Sequence, residues 1–110
     1  MRLYHNPRCS KSRQAVEILK SNNIQFEEYK YLELGICEQD LELLSSLPNI
    51  LRKSEKEFNT IDYDLSDPKN ICKALIKLPK LLQRPVLVYN GKAVIGRPPE
   101  NILAIIKIED

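Results

Sequence analysis

Asn90-Gly91 stands between two apolar runs, Pro85-Val86-Leu87-Val88-Tyr89 and Lys92-Ala93-Val94-Ile95-Gly96. It is the strongest short hairpin signal a sequence can carry, because both residues tolerate the positive φ of a tight two-residue turn. The chain is thereby committed to an antiparallel pair near its C-terminus. Near its start the pattern differs. Met1 to Tyr4 reads as a strand, Lys11 to about Ser21 as a helix burying Ala15, Ile18 and Leu19, and Ile24 to Tyr31 as a second strand. Ser10 or Ser12 is the expected helix cap, and Asn22-Asn23 the close. A strand, a helix of this length and a strand make a βαβ unit, which implies a parallel pair with a right-handed crossover.

Between the two strand pairs the chain turns helical. Leu41, Leu43, Leu44 and Leu47 predict a helix over 38–47, ended by Pro48, and a second helical stretch follows over 49–58. Asp67-Pro68 reads as an N-cap with proline at the first helical position, opening a helix that runs to Pro79. A last helix is expected from Pro98-Pro99 to about Lys107, burying Ile102, Leu103, Ile105 and Ile106. The order β-α-β, helices, β-β, α predicts an α/β protein with a thioredoxin-like fold. Its mixed four-stranded sheet is interrupted by a helical insertion at about 38–82. At 110 residues the chain is expected to form one domain, 1–110.

The chemistry concentrates where the first strand hands over to the first helix, at Tyr4-His5-Asn6-Pro7-Arg8-Cys9-Ser10-Lys11-Ser12-Arg13. Pro7 and the small polar residues mark a turn, which puts Cys9 at or just before the first helical turn. Unpaired N–H groups and the positive end of the macrodipole favour a thiolate there, and Arg8, Lys11 and Arg13 add positive charge. Free cysteine is usually a small core residue, but a basic polar turn is a poor place for one. Cys9 is therefore the candidate nucleophile. His5 is read as its base or hydrogen-bond partner, or simply as the end of the strand.

Composition excludes several classes. The net charge of +2 does not call for a nucleic-acid partner. No apolar run approaches the roughly 20 residues that span a bilayer, and no signal-peptide core is visible, so the expected location is the cytoplasm. Three cysteines, an odd number, suit a reducing compartment. Cys9, Cys37 and Cys72 are far apart and His5 is the one histidine, so no metal site is expected. Cys37 and Cys72 read as packing residues, and Lys69, Lys73, Lys77 and Lys80 as a solvated face.

Three arginines fall at suggestive points: Arg52 in the insertion, Arg84 before Pro85, and Arg97 after Gly96. A guanidinium is always charged and presents a planar fork of donors, which suits a tetrahedral oxyanion. The two strand-end arginines can approach the Cys9 loop in the proposed sheet. Arg84-Pro85 is also a candidate cis peptide.

Taken together, Tyr4 to Ser10, Leu51-Arg52-Lys53, Gln83-Arg84-Pro85-Val86 and Gly96-Arg97-Pro98 resemble the successive signatures of the ArsC arsenate reductases, the glutaredoxin- and glutathione-dependent kind. The resemblance covers nearly the whole chain in the same order. It implies that Cys9 is the cysteine that attacks arsenate, and that Arg52, Arg84 and Arg97 hold the oxyanion and stabilise the thiolate. It further implies that His5 is the histidine near that cysteine and Pro85 the cis-proline beside it. No bound cofactor is implied; glutathione is a co-substrate and glutaredoxin the protein partner. Ser12 stands where a Cys-x-x-Cys dithiol would place its second thiol, in keeping with an external reductant. The alternatives are a glutathione-dependent thiol oxidoreductase that never meets arsenate, and an Spx-like regulator that binds RNA polymerase. A phosphatase-like reductase is excluded, since its loop needs arginine six positions after the cysteine and Ala15 stands there.

Overall fold

The computed structural model describes residues 1–106. They divide into two compact units, 1–30 with 84–106, and 31–83. The second is wider at its start than the helical stretch expected over 38–82.

The first unit is a four-stranded sheet with helices on one face. Its strands are β1 (Arg2–Tyr4), β2 (Glu27–Tyr29), β3 (Val86–Tyr89) and β4 (Lys92–Ile95), in spatial order β2-β1-β3-β4. β1 pairs with β2 in parallel and with β3 antiparallel, and β3 pairs antiparallel with β4. This is the thioredoxin-like α/β arrangement that the element order predicts. The β3–β4 turn has Asn90 at φ 56° and Gly91 at φ 75°, the two positive values for which that dipeptide is suited.

Helix α1 (Ser10–Ser21) follows β1. Its N-cap is Cys9 itself, in place of the expected Ser10 or Ser12: Cys9 is extended, and its carbonyl already accepts from the Arg13 N–H at 3.0 Å. At the other end, Asn22 donates its side-chain amide to the Ile18 carbonyl and Asn23 takes a φ of 56°. Ala15, Val16 and Leu19 recur at helical spacing and pack on Leu3 and Leu87, which face each other across β1 and β3. Ile102 joins the same cluster from a 3₁₀ helix, Pro99–Ile105. Each fully buried leucine of this core contributes roughly 1.5–3 kcal/mol.

Two elements differ from expectation here. Strand β2 is shorter than 24–31 because the Ile24 N–H is still bonded to the Leu19 carbonyl, closing α1, while Tyr31 opens a new helical turn. The last helix is 3₁₀, with the Asn101 N–H bonded to the Pro98 carbonyl and Ile106 to Leu103. Its expected end, Lys107, lies outside the described residues.

The second unit contains α2 (Tyr31–Leu34), α3 (Leu41–Ser45) preceded by a 3₁₀ turn at Glu38–Asp40, and α4 (Pro68–Lys77). Asp67 caps α4 as expected, accepting from the Lys69 N–H at 3.0 Å, with Pro68 at the first helical position. The helical stretch expected over 49–58 does not form. Asn49 takes a φ of 60° after Pro48, and the next residues are extended. Leu51 bridges to Leu82, the Arg52 N–H donates to the Leu81 carbonyl, and the Gln83 N–H donates to the Ile50 carbonyl. Only a 3₁₀ helix at Lys56–Thr60 remains. The apolar residues of 49–51 thus serve a short strand-like pairing. Among the described residues, no helix is long and apolar enough to cross a membrane. Among the same residues, no cluster of three or more His, Cys, Asp or Glu side chains is placed to hold a metal ion.

Candidate active site

The residues after β1 fold into a turn organised by Asn6. Its carbonyl accepts from the Cys9 N–H at 3.0 Å, and its side-chain Oδ1 accepts from the Arg8 N–H at 3.0 Å. Arg13 reaches back from α1 to donate its Nη1 to the Pro7 carbonyl at 2.8 Å. The charge expected to bathe the sulfur is therefore partly spent on bracing the turn. Cys9 is left half-buried at the helix N-terminus, neither sealed in the core nor fully exposed.

Behind the turn lies a buried polar pair. Ser12, fully buried on the first turn of α1, shares a hydrogen bond of 2.6 Å with His5 Nδ1 and accepts the Asn6 N–H at 2.9 Å. Burial pushes the His5 imidazole below its ordinary range, only partly opposed by the charge of Glu28, so the ring is neutral at pH 7. His5 thus engages Ser12, and fixes the turn that aims the helix N-terminus at Cys9. Ser12 escaped the sequence reading as a site residue. Its signal was position: a small polar residue three after the cysteine, on the inward side of an amphipathic helix. Ser12→Ala is expected to leave two buried polar groups without their partner and to cost about 1–3 kcal/mol. The check is a lower denaturant midpoint at unchanged slope.

The other wall is built from the strand ends. Arg84 precedes β3 and Arg97 follows β4, and the β3–β4 pairing brings both beside the Cys9 turn. Arg97 donates Nε to the Arg84 carbonyl at 2.9 Å and Nη2 to Cys9 Sγ at 3.7 Å. Asn101 in turn donates to the Arg97 carbonyl at 3.1 Å. The Arg84–Pro85 and Arg97–Pro98 peptides are both cis, and Pro85 is buried. The Gly96 N–H bonds the Pro85 carbonyl at 2.8 Å, and a Cβ on Gly96 would lie 2.7 Å from Pro85 Cγ and 3.0 Å from Ile102 Cγ2. A proline ring cannot swing aside as a flexible side chain would. Gly96→Ala is therefore expected to destabilise the protein by about 1–3 kcal/mol through overpacking, measured by thermal unfolding.

The electrostatic outcome at Cys9 is a contest. Burial pushes the thiol up. Against it act the Ser12 amide, then the Arg84 guanidinium by hydrogen bonding and by charge, then the Lys11 amide. Sγ makes no full capping hydrogen bond, yet these N–H groups face it closely enough to favour the charged sulfur. The balance falls below the ordinary cysteine range. Cys9, Arg84, Arg97, His5 and Pro85, read from three separate stretches, are thus brought together in the first unit.

Arg52 belongs to the second unit. There its Nε pairs with Glu55 Oε1 at 3.3 Å, next to the Leu51–Leu82 bridge. Cys37, half-buried, precedes the 3₁₀ turn at Glu38–Asp40. Cys72, also half-buried, holds Ser45 Oγ at 2.9 Å between α3 and α4.

Comparison with known proteins agrees with this architecture. The sequence profile of the ArsC family matches residues 4–105. The uncharacterized protein YfgD of Escherichia coli K12 is 41% identical over 96% of this chain and 96% of its own length. An arsenate reductase of Neisseria meningitidis serogroup A is 34% identical over 96% of this chain and 97% of its own. The regulatory protein MgsR of Bacillus subtilis is 30% identical over 94% of this chain and 88% of its own. A solved structure of an arsenate reductase from Vibrio cholerae superposes with a TM-score of 0.81 at 36% identity, covering 96% of this chain and 98% of that one.

Proposed function

The chain belongs to the ArsC family, and from that premise we propose that it is an arsenate reductase drawing electrons from glutathione and glutaredoxin. The observation that carries the reading is the pairing of Cys9, a thiol held below its ordinary range, with the Arg97 Nη2 at 3.7 Å and the Arg84 guanidinium. A thiolate beside two guanidinium groups is a nucleophile inside an anion trap. The family resemblance gives Arg52 a share in holding the oxyanion.

In the proposed cycle the Cys9 thiolate attacks arsenic and one arsenate oxygen leaves as water, giving a cysteinyl–arsenate ester. Arg84 and Arg97 offset the charge on its remaining oxygens. Glutathione then adds its sulfur to arsenic, and a second oxygen departs as water with the thiol proton. The S–S bond between glutathione and Cys9 forms as both sulfurs leave arsenic, which takes up the two electrons, adds back one water and departs as arsenite. The mixed disulfide is opened by a glutaredoxin thiol, restoring Cys9. Ser12 offers no thiol for a local disulfide, which supports an external reductant.

The test is arsenite release from arsenate by the purified protein. Turnover is expected with glutathione and glutaredoxin together and to fail when either is omitted. Equal turnover with thioredoxin and no glutathione would replace the proposed reductant, and no turnover in any mixture would remove the enzyme reading. The likeness to MgsR favours one second reading, a regulator of the Spx kind. Capture of RNA polymerase by the intact protein, with no arsenate turnover, is the result that selects it.

A further inference from the structure

A half-open cavity of about 180 Å³ lies wholly inside the second unit. Six apolar side chains line it: Leu47, Ile50, Leu51, Phe58, Leu65 and Ile71. Asn49 and Lys53 complete the lining. Ile50 and Leu51 are buried and form the floor, whereas Asn49 and Lys53 are exposed and stand at the mouth. None of these residues has a place in the Cys9 site, so the cavity calls for an account of its own.

Bonds within its walls hold the cavity open. The floor is fixed by the Arg52 N–H on the Leu81 carbonyl at 2.6 Å and the Gln83 N–H on the Ile50 carbonyl at 2.7 Å. Phe58 rides on the 3₁₀ helix Lys56–Thr60, which is anchored by Glu57 on Lys80 Nζ at 2.8 Å. Next to Leu65, the Asp64 carbonyl accepts the Asn70 side chain at 2.7 Å, which ties that loop to α4 and Ile71. Packed interiors keep few voids larger than a water molecule. A dry cavity of about 150 Å³ lined by Leu, Ile and Phe takes up a benzene-sized guest. The second unit offers the same lining at a similar size and adds one cation at the opening. Lys53 has no ion-pair partner among the described residues, because the acids nearest it on the chain are engaged elsewhere, Glu55 by Arg52 and Glu57 by Lys80.

We propose that this cavity binds a small monocarboxylic acid with a single ring or a branched aliphatic body. The body fills the apolar interior. The carboxylate stays at the mouth, where the Lys53 ammonium meets it and the Asn49 amide donates to it. Charge and size set the class: one cation matches one carboxylate, the apolar lining turns away a sugar or a phosphate ester, and the volume turns away a nucleotide. A side chain of a partner protein is a poorer occupant, because an anchor of that kind is ringed by further interface. Here Ser46, Ser54, Asn59 and Ser66, which flank the lining on the chain, are polar and exposed. The site stands apart from the arsenate reductase reading and holds or fails without it.

The probe is phenylacetate, titrated into the reduced full-length protein, with its uncharged isostere phenylacetamide in a parallel arm. Phenylacetate is expected to shift the backbone amide resonances of Asn49, Leu51, Lys53, Phe58 and Ile71 and to saturate at millimolar concentration. Phenylacetamide is expected to shift the same residues and to bind about two- to fivefold more weakly, as loss of one exposed charge contact allows. Lys53→Gln, a change at an exposed position, brings phenylacetate down to the affinity of the amide and leaves the amide's own binding as it was. Leu65→Phe puts a ring into the cavity and abolishes the binding of both; should that variant fail to fold, Lys53→Gln still decides. No shift, shifts confined to the Cys9 turn and Arg97, equal affinity for acid and amide, or parental phenylacetate binding in Lys53→Gln would each overturn the site. Saturation at lower concentration by a short peptide with phenylalanine beside aspartate would assign the cavity to a protein partner and overturn it as well.

Discussion

Replacing Cys9 by serine is expected to lower arsenate turnover by more than about 10⁴-fold, to the solution background. Two separate steps fail in the variant. A serine hydroxyl is not ionised by the Ser12 amide and the guanidinium groups that hold the thiol down, so the first attack on arsenic loses its nucleophile. Even an oxygen ester, once formed, has no sulfur to pair with glutathione, so the electrons have no exit. The exchange is nearly isosteric at a half-buried position, and thermal stability is expected to stay within about 0.5 kcal/mol of the parent. The measurement is arsenite formed per protein, with Cys37→Ser and Cys72→Ser run in parallel. Loss in the Cys9 variant with retention in the other two assigns the chemistry to Cys9. Turnover by Cys9→Ser at a tenth of the parent rate would move the nucleophile to Cys37 or Cys72.

Much of this arrangement was legible in the chain because its signals are local. The hairpin rests on two adjacent residues that tolerate positive φ, Asn90 and Gly91, and on nothing distant. Asp67-Pro68 likewise encodes its cap and first turn in two neighbours. Cys9 was recognisable because a polar turn before an amphipathic helix fixes where the sulfur must sit. What the sequence concealed depends on partners remote in the chain. Residues 49–51 carry helix-like apolar spacing, yet Leu51 bridges Leu82, thirty-one positions away, and that pairing overrides the local pattern. Tyr31 looked like the end of a strand because a large apolar residue suits one. Its Gly35 partner, four residues on, makes it the start of a helical turn instead. Ser12 was visible as a residue but not as a role, since the role requires His5 to be buried beside it. Arg13 and Arg97 illustrate the same divide among charges. Arg13 is nearer to Cys9 in sequence but spends its donor on the Pro7 carbonyl, whereas Arg97, eighty-eight positions away, donates to the sulfur. Proximity along the chain was a poor guide to which guanidinium serves the thiol.

Arg84→Ala is the substitution expected to separate the two strand-end arginines. Both are close to Cys9, but they do different work. Arg97 is exposed, and divides its donors between the Arg84 carbonyl and Sγ. Arg84 is less exposed, and acts on the thiol through both a hydrogen bond and its charge. Removing it leaves burial, which pushes the thiol up, opposed mainly by backbone N–H groups. The sign follows directly. The thiolate is the reactive form, so the pH midpoint for alkylation of Cys9 by iodoacetamide moves upward in Arg84→Ala, and the rate at pH 7 falls. In the proposed cycle arsenate turnover loses more than this, because Arg84 is there assigned to the oxyanion as well as to the thiol. Loss of one such donor is expected to lower kcat/KM about 10²–10³-fold. Arg97→Ala is expected to shift the alkylation midpoint in the same direction by a smaller amount, since its contact with sulfur is long and solvated. Arg84→Lys supplies the decisive comparison. A lysine keeps the charge but not the planar fork, so the alkylation midpoint recovers substantially while kcat/KM for arsenate does not. Full recovery of both would reduce Arg84 to a point charge. An alkylation midpoint unmoved by Arg84→Ala would leave the thiolate to the helix N-terminus alone.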